Sequence, residues 1–281
     1  MEENWTTVIK PKTGWFDINL KELWQYRDLI LMFVKRNFIS SYKQTILGPL
    51  WFLITPLLTS SVFTVVFGKI AHISTDGVPQ FLYYMAGNTA WAYFSSCLTS
   101  TAATFTGNAQ LFGKVYFPRL ITPIATVIYG AFSFLIQTAL MIVLMAYFAF
   151  VKGEAIHPNI CLFTVPLIVL QMALLGMGFG IIISSLTTKY RDLYVLVGFG
   201  VQLWMYATPI VYPLSAVPQT FAGIIRFNPM TPVINNFKYA FLGCGSFEVS
   251  SWLMSWCVTV LVLFIGVVIF SRVEKTFMDT V

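Results

Sequence analysis

The sequence predicts an all-α, polytopic integral membrane protein, and three observations carry that prediction. Of 281 residues, 57% are hydrophobic and only 10% are charged, against roughly 25% charged residues in a soluble domain. Six apolar runs occur, at about 49–68, 81–103, 120–150, 162–186, 193–212 and 252–270. Each approaches or exceeds the ~20 residues needed to cross ~30 Å of hydrocarbon. No Asp, Glu, Lys or Arg lies inside any of them, apart from positions at their ends. Three regions follow: a cytoplasmic N-terminal part (1–48), a six-span transmembrane domain (49–270) and a cytoplasmic tail (271–281).

Residues 1–20 read as a loose tail. No apolar core stands behind a basic cap, so no signal peptide is expected. Residues 21–43 read as a helix, with Leu23, Tyr26, Ile30 and Phe33 at helical spacing. Trp24, Arg27, Lys35 and Arg36 give it a basic, aromatic character suited to the membrane surface. The alternative is a cytosolic helix packed on its own protein. Gly48-Pro49 opens the first span, and the third is long enough to tilt or protrude.

Between the second and third spans lies GNAQLFGKVYFPRL, residues 107–120, short and amphipathic with Lys114 and Arg119. If both neighbours span the membrane, it lies at the bilayer surface, where it can touch a soluble partner. Lys and Arg counts orient the chain. The tail, the 104–119 and 187–192 connections and the C-terminus carry 13; the other side has Lys69, Lys152, Arg226 and Lys238, a total of 4. Both termini are therefore expected in the cytoplasm. The segment 213–251, on the outer side, holds two short helical runs, 217–226 and 231–242, broken at Asn228-Pro229. They read as re-entrant or interfacial helices, or as an ordinary outer loop.

The chemistry is notable for what it lacks. Gly107 and Gly113-Lys114 superficially suggest a phosphate-binding loop, but five residues separate the glycines and Val115 follows the lysine. A Walker A loop needs four and then Ser or Thr. No ionisable group is expected at mid-membrane, which disfavours a proton- or ion-coupled carrier. Asp76, Glu154 and Glu248, like His72 and His157, fall in outer connections, so clustered acids for catalysis or metal binding are absent from the sequence pattern. Cys97, Cys161, Cys244 and Cys257 show no metal or disulfide spacing. The scattered basic residues fit membrane orientation better than nucleic acid. The chain thus reads as a pathway whose energy comes from elsewhere.

The aromatic share, 17%, suggests what travels. Trp51, Phe52, Tyr83, Tyr84, Trp91, Tyr93 and Phe94 crowd the first two spans; Trp204, Tyr206 and Tyr212 belong to the fifth. Trp and Tyr favour the membrane interface. The sharper reading is a conduit on whose flat rings sugar C–H faces slide, formed by Trp51, Phe52, Tyr84, Trp91, Tyr93, Phe94, Trp204 and Tyr206.

Four stretches carry a resemblance. They are Lys35-Arg36-Asn37 with Ser41–Trp51 leading to Pro56; Asn108–Pro123 around KVYFPR; Tyr190–Leu193 with Thr208–Pro213; and Asn228–Pro232 with the tail Arg272–Phe277. In this order they resemble the permease subunit of ABC transporters that export polysaccharides such as O-antigen, capsule and teichoic acid. The short 69–80 loop resembles the O-antigen type most. The resemblance implies a homodimer forming a channel, paired with two copies of a separate ATPase that binds ATP and Mg, and a lipid-linked polysaccharide as cargo in the inner membrane. It implies no cofactor, metal or catalytic residue in this chain. It implies ATPase contacts at Asn108, Leu111, Lys114, Tyr116, Phe117, Pro118 and Arg119. An ABC permease for a drug or small lipid, or a stand-alone carrier, are the alternatives.

Overall fold

The computed structural model describes residues 20–43, 45–154, 156–187, 190 and 192–280. The expectations for the 1–19 tail and for Gln44, Thr188, Lys189 and Arg191 lie outside the described residues, as do those for the side chains from Glu274 onward. Among the described residues the chain is helical, without strands. Helix α1 (Leu20–Gln25) and α2 (Arg27–Tyr42) precede α3 (Trp51–Phe63). A 3₁₀ turn (Gly48–Leu50) and a π turn (Thr64–Ile70) flank α3. Then come α4 (Gln80–Ala102), α5 (Thr104–Phe112), α6 (Ile121–Lys152), α7 (Val165–Thr187), α8 (Leu193–Tyr206), α9 (Gln219–Phe227), α10 (Met230–Leu242) and α11 (Val249–Thr280).

Four helical segments are long and apolar enough to cross a membrane: Gly48–Ile70, Ile121–Lys152, Ile160–Thr187 and Val249–Val273. The other two expected spans differ for physical reasons. Helix α4 has 23 residues, of which 15 are buried. Its environment is largely protein, so it accommodates Asn88, Thr89, Ser95 and Thr101 among its apolar residues and is less apolar than the other four. Helix α8 covers only 14 of the 20 residues in its apolar run. At 1.5 Å per residue that is ~21 Å. Pro209 lacks the N–H that would continue the helix ladder, and the chain turns irregular at Ala207.

Helix α4 is the axis of the bundle, and α7 lies closest to it. The reason is the α7 run GMGFG. A Cβ added at Gly176 would meet the Phe94 backbone oxygen at 2.9 Å, and one at Gly180 the Leu98 oxygen at 2.7 Å. One turn apart, these glycines let two helix backbones approach as small residues do in membrane interfaces. Gly178 faces the other way, where a Cβ would lie 3.1 Å from the Leu263 backbone of α11; Gly266 of α11 closes that contact from its own side. Polar side chains then tie the packed layers. Buried Gln171 donates to Ser255 Oγ at 2.7 Å and accepts from Trp252 Nε1 at 2.7 Å. Ser255 in turn donates to the Pro229 carbonyl at 2.6 Å.

Two hydrophobic clusters result. The larger fills the bundle around α4, α7 and α10. The smaller gathers Phe33, Val34, Phe105, Phe112, Phe117, Ile121, Ile181 and Phe270 at the basic end. Helices α3 and α8 sit at the periphery. Only 11% of the α3 segment is buried, and α8 buries no residue among those described.

Candidate functional site

At the basic end, the expected helix 21–43 is present but broken at Tyr26 into α1 and α2. Leu23, Tyr26 and Ile30 are partly buried and Phe33 buried, all against the smaller cluster. The opposite face carries exposed Trp24, Leu31, Met32 and Lys35. Arg27 lies 5.9 Å from the Trp24 ring centroid and Arg36 4.6 Å from that of Phe33. The helix therefore both packs on its own protein and presents a basic, aromatic face outward.

The 107–120 stretch begins in α5 and continues as irregular chain to α6. Asn108 Nδ2 donates to the Thr104 carbonyl at 3.0 Å, and Leu111 packs on the cluster. The KVYFPR core divides into two roles. Lys114, Val115 and Tyr116 are exposed, whereas Phe117 and Pro118 are buried. Phe117 meets Phe33 edge-on at 5.6 Å and Phe112 at 5.6 Å. The Arg119 guanidinium lies 5.5 Å from the Phe112 ring centroid. Phe112 reaches Phe105 at 6.1 Å, and Phe105 stacks on Phe270 of α11 at 4.7 Å. Five rings thus join α2, the exposed loop, α5 and α11. Aromatic pairs of this geometry add ~0.5–1.5 kcal/mol each beyond their buried area. The surface open to a partner is Lys114–Tyr116; Phe117 and Pro118 are its anchor.

The structure separates the eight conduit candidates. Tyr84 and Phe94 are fully buried within the protomer, and Trp91 and Tyr93 nearly so. Their ring faces are taken by neighbours: Trp91 and Phe94 pack on Trp204 at 6.1 and 5.2 Å, Tyr93 on Phe134 at 5.2 Å, and Tyr84 on Phe63 at 6.4 Å. The expectation that these four line a path is corrected: they are core, because periodicity alone does not distinguish a ring facing protein from one facing a passage. Trp204 is half-buried in the same aromatic cluster. Trp51 and Tyr206 are exposed on α3 and α8, with Phe52 partly so.

At the opposite end both short helices of the 213–251 segment are present. Helix α9 lies on the surface with Phe221, Ile224 and Phe227 exposed. Helix α10 is buried over most of its length. Together with Asn228 it holds the irregular chain that follows α8. Asn228 Oδ1 accepts from Trp204 Nε1 at 2.9 Å and, in an Asx-turn just before α10, from the Met230 N–H at 3.0 Å. Its Nδ2 donates to the Ala207 carbonyl at 3.2 Å and to Thr208 Oγ1 at 2.9 Å.

Lys238, counted on the outer side by the charge tally, lies on α10. It is 2% exposed. Its Nζ donates to the carbonyls of Pro209 and Ile210, each at 2.8 Å, and sits 3.6 Å from the Tyr83 ring centroid. Burial pushes its pKa down to about 7, while the two acceptors and the ring face favour the charged form. It leaves the tally of solvated charges, which sharpens the basic asymmetry between the two ends. Sequence reasoning missed Lys238 and Gln171 as structural residues. For Gln171 the available signal was a lone polar side chain inside an otherwise apolar helical run.

Comparison with known proteins identifies the family. The ABC-2 type transporter family matches residues 28–242. An O-antigen export system permease protein RfbA of Klebsiella pneumoniae is 28% identical over 255 residues, 90% of this chain and 94% of that protein. The RfbA permease of Myxococcus xanthus is 29% identical over 226 residues, covering 79% and 83%. The polysialic acid transport protein KpsM of Escherichia coli is more distant, 23% identical over 235 residues, covering 83% and 89%. The matched span runs from the start of α2 to the end of α10, so it takes in the basic-end platform, α4–α7 and the Lys238 anchor alike, and the chain belongs to the ABC-2 type transporter family.

Proposed function

We propose that the chain is the channel-forming subunit of an ABC exporter that moves a lipid-linked, O-antigen-like polysaccharide out of the cytoplasm across the inner membrane. The observation that carries this is similarity to O-antigen export permeases along nine-tenths of the chain and nearly all of theirs. ATP and Mg belong to a separate ATPase present in two copies.

In this reading α4 and α8 join the four long apolar segments to give six crossings, with both termini in the cytoplasm. The short α8 is tolerable there because carbonyls of the irregular chain that follows it, at Ala207, Pro209 and Ile210, are bonded by Asn228 and Lys238 rather than left open to lipid. Helix α9 lies in the outer interface and α10 is shielded by protein.

Two copies of the chain form the channel. On α3, Thr55, Leu58 and Val62 are exposed. Their spacing of three and four puts them on one face, the seam of a helix that packs along another helix. Helix α8 packs on its own protomer through Val197, Val201, Trp204 and Met205, leaving Tyr194, Phe199, Gln202 and Tyr206 free for the path. Trp51, Phe52 and Tyr206 supply its sugar-facing rings.

The ATPase docks on Lys114–Tyr116 beside the outward face of α1 and α2. Force applied there passes through the Phe117–Phe112–Phe105–Phe270 rings to α11 and through Phe33 to α2. The double variant Lys114→Glu/Val115→Asp alters only exposed side chains. It is expected to keep normal expression and to lose at least ~10-fold in recovery of the ATPase on co-purification, the equivalent of ~1.4 kcal/mol. Unchanged recovery would move the docking surface elsewhere.

A deletion strain tests the function itself. Loss of surface glycan with lipid-linked polymer accumulating inside is the expected result. Normal surface glycan with no internal polymer would sink the glycan assignment and favour a permease for a drug or small lipid.

A further inference from the structure

A recess of ≈ 320 Å³ opens at the outer end of the chain, between the loop before α4, the chain after α8, helices α9 and α10, and residues 244–248. Asp76, Ser215, Arg226, Asn235, Lys238 and Glu248 supply its polar walls. Pro213, Leu214, Val217 and Ala222 supply apolar wall between them. A second, smaller hollow adjoins it, sharing Leu214, Arg226, Asn235, Ser246 and Glu248 and adding Asn236. The size of the larger recess falls within the ~300–1,000 Å³ of small-molecule sites.

The recess contains more hydrogen-bonding capacity than the protein uses. Asn236 is 1% exposed and borders not the recess itself but the adjoining hollow, whose ≈ 20 Å³ has room for a single hydroxyl or water, and its Nδ2 has no hydrogen-bond partner among the described residues. A buried amide donor left unpaired costs ~1–3 kcal/mol, a cost that a ligand hydroxyl would remove. Asp76 Oδ1 accepts only a 3.1 Å bond from Ser215, which fastens the 71–79 loop to the wall, and Glu248 Oε2 accepts from Ser251 at 2.8 Å. Each carboxylate has about four lone-pair sites, so acceptor capacity is left over. Lys238 forms the floor and is committed to two carbonyls and a ring.

The charge pattern decides the ligand class. Two carboxylates, Asp76 and Glu248, stand against the exposed Arg226 and the buried, only partly charged Lys238, so the two signs come close to balance around one recess. That balance repels neither sign and concentrates neither, so it suits neither a phosphate nor a metal ion. It suits a neutral ligand carrying many hydroxyls, which can donate to the carboxylates and accept from Arg226 and the Asn236 amide. Apolar wall between the polar groups matches the C–H face of a pyranose ring.

We propose that this recess is a saccharide-binding subsite on the outer side, holding one or two neutral sugar units as the glycan leaves the path. The proposal rests on the glycan-export reading and extends it to a site on the exit side. Weak affinity is expected, because a carrier must release its cargo.

The test uses the full-length chain, co-purified with its ATPase in nanodiscs. The probe is the lipid-free oligosaccharide released by mild acid from the surface glycan of the source organism, with binding followed by saturation-transfer NMR. Saturable binding to the wild type is expected, weakened at least ~10-fold, or ~1.4 kcal/mol, by Arg226→Ala and by Asn236→Leu. Because Asn236 Nδ2 has no protein partner, Asn236→Leu should leave the unfolding midpoint level or higher; Arg226→Ala changes only an exposed side chain. Absence of wild-type binding, or binding unchanged in both variants, overturns the subsite. Inorganic phosphate binding more tightly than the oligosaccharide overturns the neutral-sugar class. The deletion strain judges the export reading separately: normal surface glycan there would end that reading, while the same binding measurement would still decide for or against the recess.

Discussion

Gly180→Val is expected to abolish recovery of a folded, monodisperse protein. A Cβ at Gly180 would lie 2.5 Å from Thr101 Cβ and 2.7 Å from the Leu98 carbonyl oxygen. The second contact is with backbone, which yields only if the whole of α4 moves. Gly176 is held the same way one turn earlier, with the Phe94 carbonyl 2.9 Å from its would-be Cβ. Overpacking a side chain against flexible neighbours costs ~1–3 kcal/mol. Here the central helix of the bundle must shift, so the cost exceeds that range and takes a large share of the ~5–15 kcal/mol net stability of a folded domain. Size-exclusion profiles in detergent would show loss of the main peak or its replacement by aggregate. Gly223→Ala serves as the control, because nothing lies within 4 Å of its added Cβ. A Gly180→Val protein eluting like the wild type would mean that α4 and α7 are not packed at this distance.

The ease of reading these elements from sequence followed their solvent. Segments that face lipid, such as Ile121–Lys152 and Val249–Val273, are apolar throughout and stand out by composition. Helix α4 was legible as an apolar run, yet its place at the centre was not, since burial by protein permits Asn88, Thr89 and Thr101 as lipid would not. Helix α8 ran shorter than its apolar stretch because Pro209 ends the ladder, and composition does not weigh a single missing N–H. Phe117 and Pro118 were legible as part of a surface stretch, but the inward orientation of Phe117 depends on Phe33, which arrives from 84 residues earlier, as well as on nearby Phe112. The same limit applies to Trp91 and Phe94. A ring on an apolar helix carries no mark of what it faces. Lys238 is the sharpest case, because its charge argued for water while its partners are two carbonyls 28 and 29 residues earlier in the chain.

Lys238→Met is expected to destabilise the outer end by ~2–4 kcal/mol. Two opposing effects set that figure. Removing the ammonium recovers the cost of holding a charge away from water, the same cost that pushes its pKa down to about 7. Against this, the Pro209 and Ile210 carbonyls each lose a 2.8 Å hydrogen bond, and an unpaired buried acceptor costs ~1–3 kcal/mol. The Tyr83 ring also loses a cation at 3.6 Å, worth up to ~2 kcal/mol where water is excluded. The carbonyls decide the sign, since they belong to irregular chain after α8, where Pro209 offers no N–H and methionine no donor. Arginine should not rescue the site. Gly87 is already so close that a Cβ there would lie 3.0 Å from Lys238 Cε and 3.1 Å from the Ile210 oxygen, leaving no room for a guanidinium fork. Thermal unfolding of the purified variant should begin roughly 5–15 °C lower, scaling from ~2–4 °C per kcal/mol for chains of about this size. Hydrogen exchange should rise first in residues 207–212, because their backbone is what the lysine holds. A variant with the wild-type midpoint and full protection there would show that Asn228 alone secures the end of α8, and that the buried charge contributes nothing to holding it.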